Sequence, residues 1–130
     1  MTAPDARVLI ADDEPAVALF VEQALALMGL SAVVVSDGAA AIQVAQTFQG
    51  RLDCAILDVM MPHVNGIDAA EAIRRITPDL PIIFMSGFYS PELLQRATTM
   101  AHAAFLQKPF ALSDLRALLT HVLHEKELGG

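Results

Sequence analysis

Five short apolar runs, each followed by a longer segment with helical periodicity, set the tightest limit on what this chain can fold into. Arg7 to Ala11, Ala32 to Ser36, Cys54 to Leu57, Pro81 to Ser86 and Ala103 to Gln107 are short and apolar, and several are rich in β-branched residues, so they read as strands. Between them lie helix signals. Val17, Phe20, Val21, Ala24 and Leu27 recur at helical spacing between Pro15 and Gly29, and Ala41, Val44, Ala45 and Phe48 do so between Asp37-Gly38 and Gly50. Gly66 to Ile76, stopped by Thr77-Pro78, and Pro91 to Ala101 are the next two helices; a last one starts at Ser113 as N-cap and runs to about Glu127. Strands apolar along their whole length have both faces covered, as in a parallel sheet with helices on each side. Parallel neighbours need right-handed crossovers, and these helices are long enough to make them. The expectation is a doubly wound α/β fold. At 130 residues it is a single domain over 1–130 with its core at about 7–127, Met1 to Ala6 and Leu128 to Gly130 being loose.

Charge and cysteine usage narrow the function classes. Eight basic residues against 15 acidic ones give a formal charge of −7, which disfavours nucleic acid and anionic membrane as partners. The lone cysteine, Cys54, excludes an internal disulfide and a cysteine-based zinc cluster, and its place in a strand suggests a buried, inert thiol. No apolar run approaches the roughly 18 residues of a membrane span, and the N-terminus has no signal-peptide pattern. A cytoplasmic location is expected. His63, His102, His121 and His124 share no metal-ligand spacing.

In a doubly wound sheet, ligands bind beyond the carboxyl ends of the strands. Asp12 and Asp13 stand at the end of strand one, Asp58 at strand three, Ser86 at strand four and Lys108 at strand five. Two like charges about 4 Å apart repel by roughly 4 kcal/mol at an effective dielectric near 20, so clustered carboxylates call for a cation. A hard divalent ion such as Mg²⁺, held by a few carboxylates and water, resolves the repulsion. The other reading is that Asp12, Asp13 and Glu14 serve only the N-terminus of the following helix, where negative charge is favoured. Lys108 and Ser86, unremarkable singly, describe beside a metal a pocket for a phosphoryl group. No glycine-rich phosphate loop is present, so the pocket is not built for a nucleotide.

From Arg7 to about Glu127 the sequence resembles the receiver domain of two-component response regulators, the phosphoacceptor of the chemotaxis-regulator type. The matching pieces are Val8-Leu-Ile-Ala-Asp-Asp-Glu-Pro15, Leu57-Asp-Val-Met-Met-Pro62 with Gly66, Phe84-Met-Ser-Gly87 and Lys108-Pro-Phe110. The resemblance implies a flavodoxin-like (βα)5 fold with strand order 2-1-3-4-5. It implies that Asp58 accepts a phosphoryl group from a histidine kinase or phosphotransfer protein. Asp13 would ligate Mg²⁺ directly, Asp12 mainly through water, and Asp58 and the Met60 carbonyl would complete the protein ligands. Lys108 would pair with the phosphoryl oxygens. Ser86 and Phe105, which stands where the family often has tyrosine, would form the switch to the surface of helix four, strand five and helix five. A cis Lys108–Pro109 bond is also implied.

Two other classes stay open on the residues alone. One is a Mg²⁺-dependent aspartyl phosphohydrolase, disfavoured because Met60 stands where a second acid would help the leaving group. The other is a scaffold of receiver shape that works without phosphorylation and would not need the full set Asp12, Asp13, Asp58, Ser86 and Lys108. In the receiver reading Met60 and Phe88 overlook the phosphoryl group and cannot orient a water, so slow self-dephosphorylation is expected. The downstream partner, a separate protein or an attached effector, is not named by the sequence.

Overall fold

The computed structural model describes residues 7–87 and 90–129, and of residues 125–129 the helical backbone alone. Strands and helices alternate: β1 (Arg7–Ala11), α1 (Pro15–Leu27), β2 (Ser31–Val35), α2 (Gly38–Thr47), β3 (Cys54–Asp58), α3 (Gly66–Ile76), β4 (Ile82–Ser86), α4 (Pro91–Thr98), β5 (Ala103–Gln107) and α5 (Leu112–Gly129). Every strand pairing is parallel, in the order β2-β1-β3-β4-β5. This is the doubly wound α/β fold, with the strand order, that the sequence led us to expect.

Period-two alternation in the inner strands divides the interior into two cores. Leu9, Ala55, Leu57, Ile82 and Phe84 meet Ala41, Ile67, Ile73 and Ala97 from α2, α3 and α4. Their sequence neighbours Val8, Ile10, Ile56, Ile83 and Met85 meet Val21 and Leu25 of α1 and Leu115 and Leu119 of α5. Each large aliphatic side chain fully buried in this way stabilises by about 1.5–3 kcal/mol relative to exposure. Full two-sided burial is confined to the centre. Val8–Ala11, β3 and β4 are buried throughout, whereas the edge strand β2 leaves Ser31 and Val34 exposed.

The helix starts follow short polar side chains. Asp37 accepts from the Ala40 N–H at 2.7 Å, Asn65 from Ile67 and Asp68 at 2.9 and 2.8 Å, and Ser90 from Leu93 at 3.1 Å. Ser113, expected to cap α5, lies inside it instead. The reason is Asp114, whose carboxylate reaches back to the Ala111 N–H at 3.1 Å and lets the helix begin at Leu112. Helix α4 ends at Thr98 rather than Ala101. The Thr98 and Thr99 hydroxyls bond back to the carbonyls of Gln95 and Arg96, and His102 then turns the chain with φ 54°. Helix α5 runs to Gly129, past the expected Glu127, while Met1 to Ala6 lie outside the described residues.

Gly66 ties the fold to its chemistry. It opens α3 with its N–H on the Val59 carbonyl at 2.9 Å, and a Cβ there would stand 2.1 Å from the Asp58 carbonyl oxygen. Gly66→Ala should therefore push the end of β3 away and destabilise the protein by about 1–3 kcal/mol, as overpacking does. The urea midpoint of the variant checks this; an unchanged midpoint would show that the loop accommodates the methyl group.

Candidate functional site

The register of β1 on β3 creates the site. Ala11, the last residue of β1, pairs with Leu57, so the residues that follow this pair, Asp12 and Asp58, come side by side at the carboxyl edge. Both are buried, at 2% and 4% exposure. On the other flank Ser86 pairs with Gln107, which brings Lys108 to the same edge, its N–H on the Ser86 carbonyl at 2.9 Å. The Lys108–Pro109 peptide bond is cis, as the resemblance implied.

The Lys108 ammonium is the centre of the arrangement. It lies 2.9 Å from Glu14 Oε1, 3.0 Å from Asp12 Oδ2 and 3.4 Å from Asp58 Oδ2. Asp12 Oδ1 accepts from the Glu14 N–H at 2.8 Å, closing the turn before α1. Its Oδ2 is fully buried and, apart from the ion pair, accepts no well-aligned hydrogen bond. Asp58 Oδ1 accepts from the Met60 N–H at 3.3 Å. The second reading of the acidic triplet is thus only partly met: Asp12 ties the turn, but α1 has no side-chain cap, and Glu14 at its N-cap position reaches for Lys108 instead.

Carboxylate oxygens of Asp12, Glu14 and Asp58 lie within 4.8 Å of one another, and among the described residues no histidine or cysteine joins them. Asp13, the expected direct ligand, is exposed and outside this group. Glu14, which the sequence leaves open between the helix terminus and the acidic cluster and does not assign as a ligand, is the third member instead. An all-oxygen donor set in which the buried Asp12 Oδ2 faces only the Lys108 ammonium fits a hard divalent cation such as Mg²⁺. Met60 follows with its side chain exposed at 48%. Ser86 is fully buried at the end of β4, and Phe105 is half-buried against Phe84, with ring centroids 5.5 Å apart. Phe88 lies outside the described residues.

The electrostatics follow from this crowding. Burial first and the Asp12 charge second push the Asp58 carboxyl up to about 6, against the pull of Lys108 and the Met60 N–H. Burial acts to lower the Lys108 ammonium, but hydrogen bonds to Glu14 and Asp12 and the charges of Asp58 and Asp12 outweigh it and raise it overall. Asp58 holds extra proton in the folded state, so its contribution to stability is full below its ordinary value of 3.8 and is lost as pH rises through about 6. In metal-free buffer Asp58→Asn should then be more stable than the parent at pH 7, by on the order of 1–2 kcal/mol, with the gain vanishing below pH 4. Chemical denaturation across that pH range measures it, and equal stability at pH 7 would contradict it.

Comparison with known proteins agrees with this geometry. Residues 8–120 match the family described as response regulator receiver domain. The transcriptional regulatory protein PdtaR of Mycobacterium tuberculosis is 38% identical over 112 residues, covering 84% of this chain and 52% of that protein. Sensor kinase CckA of Brucella abortus is 29% identical over 122 residues, covering 94% of this chain and 13% of that protein. Among solved structures, the chemotaxis protein CheY4 of Vibrio cholerae superposes with a TM-score of 0.81 at 30% identity, covering 90% of this chain and 98% of that one. The chain spans about half or less of the length of these two curated relatives.

Proposed function

The chain belongs to the response regulator receiver family, the phosphoacceptor domains of two-component signalling, and from that premise we propose that Asp58 takes a phosphoryl group from a histidine kinase or phosphotransfer protein. The observation that carries this reading is the buried Asp12–Asp58 pair with the Lys108 ammonium 3.0 and 3.4 Å from its oxygens. An Asp58 carboxylate oxygen attacks phosphorus, the bond from phosphorus to the donor nitrogen breaks, and its electron pair leaves with that nitrogen. The product is an acyl phosphate on Asp58. Such a transfer asks the protein mainly for alignment and charge neutralisation. Lys108 shifts its pairing to the phosphoryl oxygens, and the Ser86 hydroxyl donates to one of them.

Mg²⁺ held by Asp12, Asp13, Asp58 and the Met60 carbonyl would neutralise charge on the transferring group. Asp13 lies outside the carboxylate cluster, so its part requires the exposed side chain to turn inward. In this reading residues 1–130 act as one cytoplasmic receiver domain, whatever output the whole protein carries, with no nucleic-acid or membrane partner of its own. The net charge of −7 supports the last point. No helix among the described residues is long and apolar enough to cross a membrane.

The output surface is α4, β5 and α5. Between β5 and α5 lies an open groove of about 490 Å³ lined by Phe105, Gln107, Phe110, Asp114, Leu118 and His121. Arg96 on α4 is held by Asp68 and Glu71 of α3 at 2.7 and 2.8 Å, so its charge is already engaged. Phosphorylation acts on this surface through Ser86 and Phe105, and a downstream protein or attached effector reads it.

Labelling with acetyl phosphate and Mg²⁺ tests the proposal. The parent chain should take one phosphoryl group and Asp58→Asn none, with its fold retained; labelling of Asp58→Asn at the parent rate would overturn the mechanism. A second prediction concerns signal lifetime. The Met60 thioether sits two residues after Asp58 and can neither donate a proton nor orient a water by strong hydrogen bonds. Positioned acid–base help is worth about 10²–10⁴ in rate, so decay should be slow, and Met60→Asn should lose label faster. Decay of labelled protein after donor removal measures it, and equal rates would show that Met60 does not control water.

A further inference from the structure

The Glu14 side chain has no part in holding α1 together. It stands at the N-cap without a capping bond and is 62% exposed, yet it makes the shortest of the three Lys108 contacts, at 2.9 Å against 3.0 Å for Asp12 and 3.4 Å for Asp58. Its root is fixed, because the Glu14 N–H is bonded to Asp12 Oδ1 at 2.8 Å. An ammonium has three N–H donors, and here three carboxylates face it. For Lys108 to reach an incoming anion, one carboxylate has to release it. Asp12 and Asp58 are buried on short side chains, so letting go leaves them charged and poorly solvated. Glu14 reaches water by a change of rotamer.

We infer that Glu14 is a positioning residue for Lys108: it clamps the ammonium over Asp12 and Asp58 in the resting state and is the partner that lets go when a phosphoryl group binds. The inference rests on the phosphoacceptor reading above. Glu14 also adds negative charge within 4.8 Å of the Asp12 and Asp58 oxygens, so the clamp restrains labelling while its charge favours the cation.

The test uses the full chain and two variants. Glu14→Gln removes the charge and weakens the bond, while Glu14→Asp keeps the charge one methylene short of Lys108. At saturating Mg²⁺ both should take label from acetyl phosphate about two- to fivefold faster than the parent, the range for an ion pair with one exposed partner. Mg²⁺ affinity, measured by titration, should fall by a similar factor in Glu14→Gln and stay near the parent value in Glu14→Asp. In metal-free buffer the Lys108 ammonium resonance, observed by ¹⁵N NMR, should lose protection from solvent exchange in both variants. Labelling at or below the parent rate, or an unchanged Lys108 resonance, overturns the clamp. Should the parent take no label, the phosphoacceptor reading fails by itself, and the resonance still reports on whether Glu14 holds Lys108.

Discussion

Two buried carboxylates held next to each other by the register of β1 on β3 are the constraint around which the rest of this molecule is arranged. Neither Asp12 nor Asp58 can move apart without breaking a strand register that is itself locked by two apolar cores. A one-residue slip would turn every side chain of β1 to the opposite face, so the register is stiff. The repulsion between them must therefore be answered locally. Lys108 answers part of it from two strands away, while burial first and the Asp12 charge second still push the Asp58 carboxyl up to about 6. A hard cation held by these oxygens would lower the repulsion further.

The sheet supplies the stiffness that this crowding needs. β3 carries Asp58 and is buried along its whole length, with β1 and β4 on its two sides. Gly66 keeps the backbone after Asp58 close to the start of α3, and the Val59 N–H on the Met85 carbonyl extends the β3–β4 ladder past Asp58. Burial that would be ordinary packing elsewhere here fixes a charged group against its own repulsion. The edge strand β2 carries no such load and is correspondingly only half covered.

Much of this was legible in the sequence because the informative residues sit where strand runs stop. A run such as Cys54 to Leu57 ending in Asp58 states both the buried strand and the polar group at its mouth. The fold and the convergence of Asp12, Asp58 and Lys108 followed from that rule, and the strand order from the family resemblance. What was not legible depends on side-chain reach rather than on position in a strand. Glu14 and Asp13 are adjacent acids in one turn, and nothing in the letters says that Glu14 swings to Lys108, 94 residues away, while Asp13 faces solvent. The same holds for helix ends. Ser113 looks like a cap by type, but Asp114 one position on has the length to bond the Ala111 N–H, so the helix starts earlier. Local propensity names candidates, and competing hydrogen bonds between neighbours choose among them.

The resting contacts of Lys108 also limit how strongly phosphorylation can drive the output surface. Moving an equilibrium from 1:99 to 99:1 takes roughly 5.5 kcal/mol of differential interaction. A charge-assisted hydrogen bond contributes about 1.5–3 kcal/mol, but only if it is absent from the resting state. Lys108 already faces three carboxylates before any phosphoryl group arrives, so its new bond largely replaces old ones. The net driving force must come from bonds that are absent from the resting state. Phe105 cannot add a hydrogen bond, since it lacks a hydroxyl, and its ring is already packed on Phe84 at 5.5 Å. With Lys108 only re-paired and Phe105 unable to bond, a full swing of the equilibrium by a phosphoryl group acting alone would need newly made bonds elsewhere. It follows that the resting ensemble of this domain is less lopsided than 1:99, or that binding of the output partner to the α4–β5–α5 surface supplies the remainder. In the second case the partner would take part in the switch as well as reading it.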